Sequence, residues 1–224
     1  YAINGLLNIP EIVPDGLAQG FFNNDGDSDG NYRYGLLVFR TPNGFLSSIS
    51  LRTAQKVLST NDNPPTFNLF VDESGSQDLS LVFDNTTINL NSIGQINVNY
   101  RGPNFSFPNL SISDIIDEHE EIEQKVFDHE IGDKTEKLSK SDLFKDSIVL
   151  IGSTASAAYD IRPRPLAKDA AGVENHATII DNLLSKDFIE HPSPKLRATI
   201  QVVMFIFGIL FSYLVFKLKA IPGM

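Results

Sequence analysis

The sequence predicts an α/β fold, a mixed sheet with flanking helices, followed by one transmembrane helix. Three observations carry that prediction. Short strand-like segments are interspersed with helical ones along most of the chain. The continuous apolar run Ser147–Ile151 (SIVLI) reads as a strand buried on both faces. The nineteen residues Ala198–Phe216 carry no charge, and as a helix they would span about 28 Å, close to the hydrocarbon thickness of a bilayer.

Taken in order, Tyr34–Arg40 reads as a strand between an Asp/Gly cluster and Pro42-Asn43-Gly44. Ser48–Leu58 places Leu51, Ala54, Val57 and Leu58 at helical spacing, with serines able to cap its start. The run Asn61-Asp62-Asn63-Pro64-Pro65 stops that helix. Strands are then predicted over Thr66–Val71, Leu79–Asp84, Thr86–Leu90 and Gln95–Tyr100, the last alternating Ile96, Val98 and Tyr100 with asparagines. Ser113–Val126 is predicted as an amphipathic helix with Ile115, Ile116, Ile122 and Val126 on one stripe. After Ser147–Ile151 comes a helix over Val173–Lys186, with Ile179, Ile180, Leu183 and Leu184 inward. Lys195 and Arg197 precede the apolar run and Lys217 and Lys219 follow it, placed so that long cations reach the headgroups at either end. This even distribution leaves orientation undecided by charge.

Composition excludes several classes of function. The net charge is −10, without the Lys/Arg cluster that nucleic-acid binding requires. There are no cysteines, which removes disulfides, thiol catalysis and Cys-ligated metals. The four histidines are scattered at His119, His129, His176 and His191. The chain has neither a Gly-x-Ser-x-Gly elbow nor a phosphate-binding Gly-Lys-Ser/Thr loop, so Ser153 with His176 as its base is a poor catalytic pair. No enzymatic activity is expected of this segment. Tyr1 is not an initiator methionine and no signal peptide follows it, so the chain is expected to be cut from a longer one.

The order of motifs resembles the CHASE family of the second type, the cyclase- and histidine-kinase-associated sensing extracellular domains. The resemblance rests on Gly20-Phe21-Phe22-Asn23, on Asp27-Ser28-Asp29-Gly30 with Arg33, and on Asn99-Tyr100-Arg101-Gly102-Pro103 followed by Phe107-Pro108. It continues through Ser147 to Ala155 (SIVLIGSTA), Asp160, Pro163 and Pro165, then Gly172-Val173-Glu174-Asn175-His176-Ala177 and Asn182-Leu183-Leu184-Ser185. The resemblance implies an extracytoplasmic sensor domain over 1–196, lacking its amino-terminal part, a transmembrane helix over 197–217, and the start of a cytoplasmic segment over 218–224. It implies a bacterial receptor of the inner membrane that passes an environmental signal to a histidine kinase or nucleotide cyclase. The alternative is a membrane-tethered binding or scaffold module without signalling output. The acidic stretch from Asp117 to Ser141 looks longer than the family's usual link.

Three places carry candidate chemistry. Asp25, Asp27 and Asp29, with Gly30 behind them, match the first half of a calcium loop, but Leu36 stands where a bidentate Glu is needed. The other reading is an Asp/Gly turn feeding the strand at Tyr34. Backbone donors at Gly152, Ser153 and Thr154 would lie at the end of a buried strand, where open α/β sheets hold ligands. Asp160, Arg162, Arg164, Glu174 and His176 follow, and the arginines could clamp a carboxylate or phosphate. The structural reading instead pairs Asp160 and Glu174 with those arginines. Ten carboxylates against two lysines between Asp114 and Glu136 would form a cation- or partner-binding face, or a solvated one. In the apolar run, Gly208 and Ser212 stand four apart, a spacing that suits a homodimer. The expected partners are therefore the bilayer, a second copy, and a small-molecule or envelope signal.

Overall fold

The computed structural model describes residues 19–42, 44–58, 66–71, 77–104, 106–119, 121–128, 132–154, 160–189 and 194–217. The chain divides into two units, Tyr1–Ile189 and Glu190–Met224. The expected end of the first helix at residues 61–65, and the histidine-proline link at 191–193, lie outside the described residues.

The first unit has small sheets flanked by helices, as expected. β1 (Tyr34–Leu36) pairs with β7 (Gln95–Asn97), and β2 (Val38–Thr41) forms a hairpin with β3 (Gly44–Ser47). β4 (Thr66–Val71), β5 (Gln77–Phe83) and β6 (Thr86–Leu90) form a three-stranded meander. All of these pairs are antiparallel, and a parallel bridge joins Phe21 to Ser48. The β5–β6 turn is two residues, Asp84 and Asn85, both with positive φ (44° and 59°). That backbone matches the twist of a tight hairpin, and Asp and Asn tolerate it.

The segment expected as one strand, Tyr34–Arg40, breaks at Leu37. Gly94 causes the break: its carbonyl accepts from both Leu37 N–H (3.0 Å) and Val38 N–H (3.3 Å), so the chain changes neighbour from β7 to β3. Gly94 sits at φ +89°, and a Cβ there would run into the Val38 carbonyl. Only glycine lets the two backbones approach in this way.

The core gathers alternate residues of β5 and β6, with Leu79 opposite Leu90 and Leu81 opposite Ile88. Helix α1 (Ile49–Leu58) adds Leu51 and Ala54. Ser48 starts this helix by accepting from Leu51 N–H at 3.2 Å. Helix α4 (Gly172–Ser185) packs on α1 and brings Ile179 and Leu183 into the same core. β7 ends at Asn97, three residues short of the expected strand, because Asn182 of α4 takes over its hydrogen bonds. The Asn182 amide accepts from Asn99 N–H (2.9 Å) and donates to Asn99 C=O (3.0 Å).

Two expectations are overturned. Ser113–Val126 is not one helix. A short α2 (Ile112–Ile116), opened by a Ser111/Asp114 capping box, is followed by β8 (Glu121–Asp128), which pairs with β9 (Gly132–Ser139). The reason is electrostatic and periodic. Six carboxylates between Asp114 and Glu123 would stack at three- and four-residue spacing in a helix and repel. Across the hairpin, Glu123 instead meets Lys137 at 3.5 Å. Of the expected apolar stripe, Ile122 is buried whereas Ile116 is 75% exposed.

The run Ser147–Ile151 is likewise not a buried strand. It follows α3 (Lys140–Phe144) without regular structure or a pairing neighbour among the described residues, and Ile151 is 88% exposed. Apolarity states what a segment favours burying, but a strand exists only where a second strand supplies its hydrogen bonds.

The second unit holds α5 (Pro194–Lys217). Its stretch Leu196–Lys217, with mean hydropathy 2.2 and none of its apolar window buried, is long and apolar enough to cross a membrane.

Candidate functional site

The expected ligand residues converge on the N-terminal end of α4. This helix has Ala171 at its cap position, which provides no side-chain hydrogen bond. Asp160 fills the place. Its backbone carbonyl accepts Gly172 N–H at 2.9 Å, and its carboxylate lies 2.5 Å from where a Cβ on Gly172 would sit. A glycine at this position therefore admits a carboxylate to the positive end of the helix. Arg162 pairs with Asp160 at 3.3 Å and lies over the Tyr32 ring.

Deeper in, Arg164 and Glu174 form an ion pair at 2.5 Å, with side chains 1% and 8% exposed. Arg164 also donates to Pro103 C=O at 3.1 Å and stacks over Tyr100 at 5.3 Å. The Tyr100 hydroxyl donates to Tyr32 C=O at 2.7 Å. Burial pushes its phenol up to about 12, against the pull of Arg164.

His176, one turn into α4, faces α1. Its Nδ1 lies 2.9 Å from Oγ of the fully buried Ser50. Burial holds the imidazole below its ordinary range, outweighing the Phe22 carbonyl and Asp160, which favour the charged form; Arg162 adds to the depression. Gly152, Ser153 and Thr154 are exposed. Gly152 lies against Val173, where a Cβ would come within 2.7 Å of the Val173 side chain. The loop and the Asp160–Arg162 pair thus share the entrance to α4, while Glu174 and His176 are engaged inside.

The aspartate loop is closed on an arginine. Arg33 reaches Asp27 at 2.6 Å and grips both oxygens of Asp29 at 2.9 and 2.7 Å. Asn31 adds two further bonds to Asp29. The Arg33 guanidinium, with Asn31, holds the Asp29 carboxyl well below the usual range. Asp25 is exposed. Arg33 therefore already engages Asp27 and Asp29, two of the three aspartates of the calcium reading. Among the described residues no group of three or more His, Asp or Glu side chains is arranged to hold a metal.

Sequence reasoning missed a knot at the other end of α4. Arg101 binds Asp181 at 2.5 Å, Ser185 Oγ at 2.9 Å, and Asp187. Asn99 donates to Asp187 at 3.1 Å and Asn97 to Ile189 C=O at 3.2 Å. Asn97 and Ile189 also form an antiparallel bridge. The signal was present in Asn99-Tyr100-Arg101, where a cation beside a strand end faces two acidic residues six apart near a helix terminus.

In the comparison with protein families, the CHASE2 domain model matches residues 4–217. The chain belongs to the CHASE2 family of extracellular sensory domains, found usually in cyclase- and kinase-associated receptors. No curated protein and no solved structure matches it.

Proposed function

We propose that this chain is the extracytoplasmic sensory domain, with the following membrane anchor, of a bacterial receptor. It binds a small-molecule or envelope signal and passes it to a cytoplasmic output domain of histidine kinase or nucleotide cyclase type. The observation that supports this reading most is the position of α4. Its start meets the exposed 152–154 loop and the Asp160–Arg162 pair, and its end is tied by Arg101 to Asp187, seven residues before Pro194 opens α5. Fourteen residues of helix carry a displacement about 21 Å from one place to the other. The ligand's differential affinity for two positions of α4 would supply the energy.

The test is a flexible Gly/Ser insertion after Pro194 in the full-length receptor. Signal-dependent output is expected to disappear while the domain stays folded. Unaltered output from that variant would refute the coupling route.

The anchor is proposed to pair with a second copy through Gly208. A Cβ at Gly208 meets open space, and Met204, Phe205, Ile209 and Ser212 border a shallow groove there. Gly208→Ile is expected to lower association at least several-fold in a membrane two-hybrid assay, since close backbone approach needs the missing side chain. An unchanged signal would place the dimer contact elsewhere.

A further inference from the structure

We propose that His176 makes this domain a proton sensor, its half-buried ring acting as a catch between α1 and α4 that opens when it is protonated. The proposal rests on the sensory reading above and names the signal that moves α4.

The geometry is a three-way junction. His176 projects from α4, Ser50 reaches it from α1, and the segment before β1 supplies the Phe22 carbonyl. That segment is pressed on α1: Phe21 accepts from Ile49 N–H at 2.7 Å, and a Cβ on Gly20 would lie 2.5 Å from the Ile49 nitrogen. With its proton on Nε2, the ring accepts the Ser50 hydroxyl at Nδ1. A second proton removes that acceptor and puts a full charge in a partly desolvated site.

The charged groups facing the ring do not stabilise this charge fully. Asp160 favours it, Arg162 beside Asp160 opposes it, and Ser50, the group presented by α1, is neutral. Glu174, on the same helix, is engaged by Arg164. The ring is thus depressed from its ordinary 6.5. A group depressed in the folded state contributes stability that is present above its unfolded value and lost as pH falls below it. The contact between α1 and α4 is therefore tight at neutral pH and weakens in acid, within the range an extracytoplasmic domain meets.

The experiment is amide hydrogen exchange on the full chain in lipid nanodiscs at about pH 8 and about pH 5, corrected for intrinsic exchange. The protection factors of α1 and α4 amides are expected to fall roughly tenfold in acid, while those of β5 and β6 hold. His176→Gln, which keeps a neutral hydrogen-bonding group, is expected to flatten this response. An equal acid response in His176→Gln, or none in the natural chain, would overturn the proposal. Should His176→Gln fail to fold, the His176 ring resonance is followed by NMR in the natural chain. Titration at or above the ordinary value without movement of α4 resonances overturns the proposal equally. Loss of coupling to an output domain leaves this titration intact, so failure of the receptor reading is distinguishable from failure of the proton catch.

Discussion

Arg164→Met lowers the stability of the first unit by roughly 3–5 kcal/mol, the cost of stranding one member of a buried pair. The guanidinium and the Glu174 carboxylate meet at 2.5 Å with almost no solvent on either. Neutralising Arg164 takes the guanidinium away from a buried carboxylate in the first turn of α4. The remedy is equally specific: adding Glu174→Leu removes the stranded charge and is expected to restore most of the loss. Chemical denaturation of the single and double variants checks both statements. A single variant costing less than about 1 kcal/mol would mean that the pair behaves like a surface ion pair.

Asn182→Leu is the second large effect, expected at roughly 2–5 kcal/mol from one orphaned N–H and one orphaned C=O. Asn182 is fully buried and serves as the missing neighbour of Asn99, accepting and donating in turn. Asn182→Asp separates shape from polarity. It keeps the outline but sets a second acceptor against the Asn99 carbonyl, so its stability should rise as pH falls and the carboxyl protonates into a donor. Thermal melts at neutral and mildly acid pH read the difference. Equal loss at both would show that shape alone matters.

The sequence was legible where local pattern and tertiary context agree. β4 and β6 begin and end at the predicted residues, because strand-length β-branched and apolar segments are bounded there by turn residues. α1 and α4 follow from helical spacing, and Leu51, Ala54, Ile179, Ile180 and Leu183 are buried, although Val57 on the same α1 stripe is 50% exposed. The site was legible as a composition: Asp160, Arg162, Arg164, Glu174 and His176 do meet around one helix end. What spacing did not contain was pairing. Which carboxylate each arginine takes is set by the depth of Arg164 under Tyr100 and by the glycine that admits Asp160, and both are tertiary facts. Ser147–Ile151 misled for a related reason, since an apolar run does not name its neighbour. The acidic segment misled because Ile115, Ile116, Ile122 and Val126 satisfy helical spacing, while Glu121-Ile122-Glu123 equally satisfies alternation.

The β8–β9 hairpin has a consequence for how such a domain can change over time. Glu121 pairs with Ser139, so the chain leaves and returns at one point. Residue pairs facing across a ladder are only about 5 Å apart. Beyond its own strands, its main contact is with α3. A segment attached in this way can be lengthened, shortened or recharged by successive generations without disturbing Leu79, Leu81 or Ile179. It is a place where one lineage can acquire a private surface while the shared framework is inherited whole.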